Sequence, residues 1–329
     1  MLTKGGVHPI RIKVFFTSVV LLAVLCSLLQ PSTGAQQVPK DQGTPRKIVS
    51  DDFIKNRQQG GSGSPNSSMP LGGRLSSGDK SRQNQKKRTY RLASQTKADP
   101  LPQHQATTQN QLGITVWRLR PLRSNENPTG VRMLVREKTT ELIPERVEAD
   151  TIFREGDLIR LTIESAQAGY LYVVDRDLFA DGSMGPAMLI YPWADKDGYD
   201  NHMRPGRLVD IPAQEDQPAY FTARRSTPNQ VGEILTIIVS AAPLNLPIAD
   251  KPIRITEAEL SGWQKMWGGA SERFEMEGGA GETWTHAEQQ AAAHGGGRQL
   301  TREDPAPQTI YRVAGVDDKA FLVNIRLNY

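Results

Sequence analysis

Cysteine is nearly absent. Cys26 is the only one in 329 residues, and it lies inside an apolar run near the N-terminus. Everything after that run lacks a thiol, which excludes disulfides, thiolate zinc sites and cysteine catalysis there. Aromatic residues are sparse as well, at 6% of the chain, and residues 36–110 hold only Phe53 and Tyr90. So little apolar surface cannot offset the entropy of ordering that stretch, and it reads as a disordered linker. Long apolar runs are confined to Val14–Leu29; no later run is long enough to cross a membrane.

What is present begins with that run. Lys4, Arg11 and Lys13 precede it, and Pro31-Ser32-Thr33-Gly34-Ala35 ends it with small residues at Thr33 and Ala35. This is the layout of a secretory signal peptide, residues 1–35, with cleavage expected before Gln36. The competing reading is an uncleaved anchor, for which the run is slightly short. Leu25 stands where a lipoprotein site needs a small residue, so lipidation of Cys26 is not expected. The localisation implied is export, to the periplasm or the medium.

Charge is uneven. Residues 36–110 carry 13 Lys/Arg against 5 Asp/Glu, whereas residues 111–329 carry 24 against 31. The densest patch runs from Lys80 to Arg91. It suits screened contact with an anionic cell-surface polymer or lipid head groups, or simply keeps a linker soluble. Nucleic-acid binding is not expected, because aromatic side chains do not interleave the basic ones.

After residue 110 the pattern becomes short strands between Gly, Pro and Asp turns. Ile159, Leu161 and Ile163 alternate with Arg160 and Thr162, which predicts a strand with one buried face. Tyr170–Val174 is apolar on both faces and reads as a central strand, and Glu233–Val239 reads the same way. Phe321, Val323, Ile325 and Leu327 face in, with Asn324 and Arg326 facing out. The fold class predicted is mainly β, an antiparallel β-sandwich over residues 111–329. Thr256-Glu257-Ala258-Glu259 and Thr285-His286-Ala287-Glu288 are capping boxes. They predict a two-helix extension within 251–300, with closing strands at 308–329.

The segment Gly156-Asp157, Gly169-Tyr170-Leu171-Tyr172-Val173, Asp181-Gly182, Leu189-Ile190-Tyr191-Pro192, Gly206 and Ile211-Pro212 resembles the domain-of-unknown-function 4384 family over about residues 150–245. The resemblance implies an exported bacterial accessory β-domain without catalytic residues. Some relatives of that kind carry caspase-like peptidase domains; this chain shows none.

Several motifs invite chemistry. Asp175, Asp177 and Asp181 crowd one loop; Asp195, Asp197 and Asp200 crowd the next. Carboxylates at alternate positions beside glycine are what calcium needs, although Asp and Gly are also ordinary turn residues. His294-Gly295-Gly296-Gly297 matches an esterase oxyanion string, but Gly-x-Ser-x-Gly is missing and a helix stop explains the glycines. Gly73–Lys80 nearly spells a phosphate loop, with Asp79 where lysine is required. A hydrolase would have to draw on Asp175, Asp181, His202 and His286. Trp263 and Trp267, four apart on a helix, could join Trp284 in a groove, or pack on a sheet; Tyr170 and Tyr172 pose the same choice. These patterns lead to a non-catalytic interaction module whose partner is an envelope protein or an anionic polymer, with no cofactor unless calcium binds the Asp loops.

Overall fold

The computed structural model describes residues 46–58, 89–96, 110–122, 133–135, 140–194, 199–293, 298–314 and 320–329. All of them lie in one compact unit, Thr44–Tyr329. The signal-peptide reading, Asp195, Asp197 and His294–Gly297 lie outside the described residues.

The elements in chain order are α1 (Arg46–Ile54), β1 (Tyr90–Thr96), β2 (Asn110–Pro121), β3 (Met133–Val135), β4 (Thr140–Val147), β5 (Leu158–Ser165), β6 (Gly169–Phe179), β7 (Ala187–Tyr191), β8 (His202–Met203), β9 (Val209–Ile211) and β10 (Phe221–Thr222). They continue with β11 (Gln230–Ser240), β12 (Ile253–Ile255), α2 (Glu257–Trp267), β13 (Ala270–Met276), α3 (His286–Ala292), β14 (Thr309–Ala314) and β15 (Ala320–Asn328). Among these, no helix is long and apolar enough to cross a membrane.

The strands form two antiparallel sheets, as the alternation predicts. The first has the order β1-β13-β14-β2-β4-β3, with β5 on the other side of β2 and β9 and β10 beyond it. The second has the order β12-β7-β6-β11-β15, with β8 on β6. Leu161, Ile163, Leu171, Val173, Ile237 and Phe321 meet between the sheets in the main core. Full burial of each such side chain contributes roughly 1.5–3 kcal/mol. The outward turn of Asn324 and Arg326 on β15 also holds, both being exposed.

Three expectations need correction. Residues 46–58 and 89–96 are not linker. Phe53 is 1% exposed and Tyr90 is fully buried, so the two aromatics of an otherwise polar stretch anchor it to the first sheet. The 251–300 extension is not purely helical, because β13 within it fills the sheet between β1 and β14. Its sequence, Ala-Ser-Glu-Arg-Phe-Glu-Met, is too charged to announce a strand.

The third correction concerns β5, which is buried on both faces. Its polar row, Arg160, Thr162 and Glu164, is covered by described residues of 277–293 and 298–308 and, just past α1, by Arg57. Burial is tolerated because each charge is paired. Arg160 meets Asp210 at 3.1 Å, Arg146 of β4 meets Glu288 of α3, and Glu164 meets Arg57. Trp117 Nε1 donates to Thr162 Oγ1 at 2.7 Å, and Thr162 Oγ1 donates to Asp210 Oδ1 at 2.6 Å. The Arg146 guanidinium lies over Trp117, and that of Arg160 lies over Trp284.

Candidate functional site

The outer face of the second sheet gathers most of the aromatics singled out in the sequence. Tyr170 and Tyr172 share one face of β6 with Val174, because side chains two apart on a strand point the same way. Tyr172 is 1% exposed, and its hydroxyl oxygen accepts a hydrogen bond from Leu244 N at 2.8 Å. Tyr170 stays half-buried and meets the His202 ring edge-on at 5.0 Å.

Helix α2 lies across this face. Its start is fixed by the predicted box: Thr256 Oγ1 accepts from Glu259 N, and Glu259 takes the Thr256 N–H in return. Leu260 is buried against Ile255, Ile238 and Leu322. Gly268, just past the helix, bridges to Leu322 of β15 and holds the C-terminal turn over the sheet. Trp263 and Trp267 stack at 6.1 Å with 12° between their planes, each half-buried. Met266, on the same side of the helix, is 58% exposed. The result is an apolar ridge with its inner edge in the core and its outer edge in solvent.

Trp284 lies elsewhere. It is 1% exposed beneath the covering segment of the first sheet, 6.3 Å from Trp117. Neither it nor Tyr172 can line a surface groove, because packing has taken both. Of the five aromatics, Tyr170, Trp263 and Trp267 keep part of their surface in solvent. Met266 escapes a sequence reading that looks for aromatics, although its spacing of three from Trp263 places it on that side.

The Asp residues divide. Asp175 and Asp177 sit on the inward face of β6 at one end of the sandwich, where Asp177 is opposite Glu233 and Asp175 opposite Leu235. Burial, then the charges of Glu233 and Asp177, push the Asp175 carboxyl up to about 8, so it holds its proton at neutral pH. Asp175 Oδ1 is buried without a hydrogen-bond partner. Glu233 is pushed up as well, by burial first, against a hydrogen bond from Tyr329. Asp177 accepts from Gln230 Nε2 at 2.7 Å and Ser226 Oγ at 3.2 Å. Glu233 and Tyr329 carry no sequence signal of this clustering, since one sits in an apolar strand and the other follows one.

Asp181 is at a separate exposed turn, where it accepts from Ser183 N and Oγ. Those bonds hold its carboxyl below the usual range. Asp200 accepts from His202 N at 3.0 Å and faces Arg207 at 3.6 Å. Four of the six proposed calcium ligands are thus split among three places, and the other two lie outside the described residues. Among the described residues no group of three His, Cys, Asp or Glu side chains is arranged to hold a metal ion. The hydrolase candidates also lie apart. His202 pairs with Tyr170, five residues and about 17 Å of strand from Asp175. His286 opens α3 beside the first sheet.

Fold and surface together define an antiparallel β-sandwich that carries a helical aromatic ridge on one outer face. No protein-family model, no curated protein and no solved structure matches the chain.

Proposed function

We propose that this chain is an exported, non-catalytic interaction module of a bacterial cell envelope, and that α2 is where it meets a partner protein. The observation that carries this reading is the ridge of Trp263, Met266 and Trp267. Large apolar side chains left half in water at the centre of a packed face are the composition of protein contact surfaces, where Trp and Met are enriched. The ridge is rigid, since the capping box fixes one end of the helix and the contact of Gly268 with β15 fixes the other. A preorganised apolar surface binds with little further loss of side-chain freedom. The envelope part of the reading rests on the basic, apolar and small-residue order of residues 1–35. The family resemblance of residues 150–245 points the same way.

The test is a cross-linking pull-down from an envelope fraction with the wild-type chain and with Met266→Glu. Met266 is exposed, so the substitution should leave the melting temperature within about 2 °C while removing the partner. Loss of a central contact of this kind costs about 2 kcal/mol, roughly 30-fold in affinity. A partner retained by Met266→Glu at wild-type strength would move the contact surface away from α2.

A further inference from the structure

The first sheet holds a second docked element, and here the occupant is visible. Helix α1 lies on the outer face of that sheet, and residues 59–88, 30 in all, separate its stretch from the one that carries β1. Its contacts are those of a bound peptide. Val49 and Phe53, four apart on one helix face, enter an apolar recess formed by Tyr90, Ala166, Met276, Ala306 and Ile310. The recess exists because β2 has glycine at its floor. A Cβ on Gly113 would come within 2.7 Å of the Phe53 ring and 2.4 Å of Pro307.

Beyond the helix, Arg57 is 2% exposed. Its Nε and Nη2 reach Glu164 Oε1 and Oε2 at 2.7 and 2.5 Å, a two-point pairing. Nη1 donates to the carbonyls of Thr301, Asp304 and Pro305 at 3.2–3.3 Å. Glu164 is held for this role by Gly206 N at 3.2 Å. The receiving side also grips the segment's backbone. Arg302 Nε donates to Arg57 O at 3.1 Å, Arg302 Nη2 donates to Lys55 O, and Gln58 bridges Thr301. Every receiving residue lies at position 90 or later in the chain.

We propose that the outer face of the first sheet is a peptide-binding site for residues 46–58, and that a second copy of this chain can supply them, giving a reciprocally exchanged dimer. The ligand class is a short helix with apolar residues four apart followed by a buried arginine. Thirty residues reach at most roughly 100 Å, more than enough to cross to a neighbouring copy. Exchange keeps every contact and changes only which chain provides the segment. This inference is independent of the α2 ridge.

Complementation tests it. Full-length Arg57→Ala lacks the donor, and full-length Glu164→Gln lacks the acceptor. Each alone should run as a monomer, while their mixture should give a 1:1 heterodimer by native mass spectrometry. A labelled peptide of residues 46–58 should bind the Arg57→Ala chain and not the wild type, whose site is filled. The same peptide carrying Arg57→Ala should bind at least tenfold more weakly. Folded variants that stay monomeric when mixed and ignore the peptide would overturn the proposal. If either variant fails to fold, two isotopically distinct wild-type populations are mixed at high concentration. Hybrid dimers that excess 46–58 peptide dissociates support exchange; hybrid dimers the peptide leaves intact, or monomers at every concentration, refute it.

Discussion

Asp175 and Thr162 show how differently buried polar residues behave in this protein. Asp175 has one buried oxygen without a partner and two carboxylate neighbours, Glu233 and Asp177. Its carboxyl is raised in the fold to about 8 from an ordinary unfolded value near 4. Folding therefore favours the protonated form. The stabilisation is complete below the unfolded value and fades as pH climbs through about 8. Glu233 shifts in the same direction and steepens the decline. Thermal melts should fall steadily between pH 5 and pH 8.5. Asp175→Asn should flatten that fall and raise stability at pH 8.5 by about 1–2 kcal/mol, some 3–6 °C. Equal pH dependence in variant and wild type would contradict this assignment. Thr162, by contrast, is satisfied on both sides, between Trp117 and Asp210. Thr162→Val keeps the volume but strands an indole N–H and weakens the hold on a buried carboxylate. We expect a loss of about 1–3 kcal/mol in urea unfolding with an unchanged m-value.

At the scale of elements, the two capping boxes offer a controlled comparison. Both follow the same Thr-x-x-Glu pattern, and both are formed. Glu259 is exposed and serves only its own helix. Glu288 is 4% exposed and also pairs with buried Arg146. Thr256→Ala should cost about 1 kcal/mol, the ordinary value of a cap. Thr285→Ala should cost more, because its hydroxyl also orients the partner of Arg146. A double-mutant cycle with Arg146→Met should show coupling for Thr285 and none for Thr256. These helix starts were legible in the sequence because a capping box is local chemistry. The apolar runs of β6 and β11 and the alternation of β15 were legible for the same reason. Strand β13 was not, since Glu272, Arg273 and Glu275 conceal its period. Nor was the burial of Arg160 and Glu164, because a charged residue in an alternating strand reads as a solvent face until its distant partner is known. Arg57 is 107 positions from Glu164, and no local pattern links them.

For the whole molecule, the sequence separated a sandwich from a polar N-terminal stretch but drew the boundary too late. Phe53 and Tyr90 stand out in a polar sequence because they are its points of attachment. Amide exchange should report this directly. Amides of residues 49–57 and of β1 should exchange slowly in the wild type, and Gly113→Val should release the first set while sparing the second sheet. Uniform fast exchange across 46–58 in the wild type would show that the segment does not dock.

The order of the strands has a consequence for synthesis. Strand β14, residues 309–314, joins β13 to β2 in the middle of the first sheet, and β15, the last strand, contributes Phe321, Val323, Ile325 and Leu327 to the main core. A growing chain lacks both until residues 309–328 have been made. The nascent protein must therefore remain open, with the interior of its sandwich unsealed, until β15 has emerged. A ribosome-stalled chain ending at residue 305 should be cut rapidly by protease, and one extended by a linker beyond Tyr329 should resist.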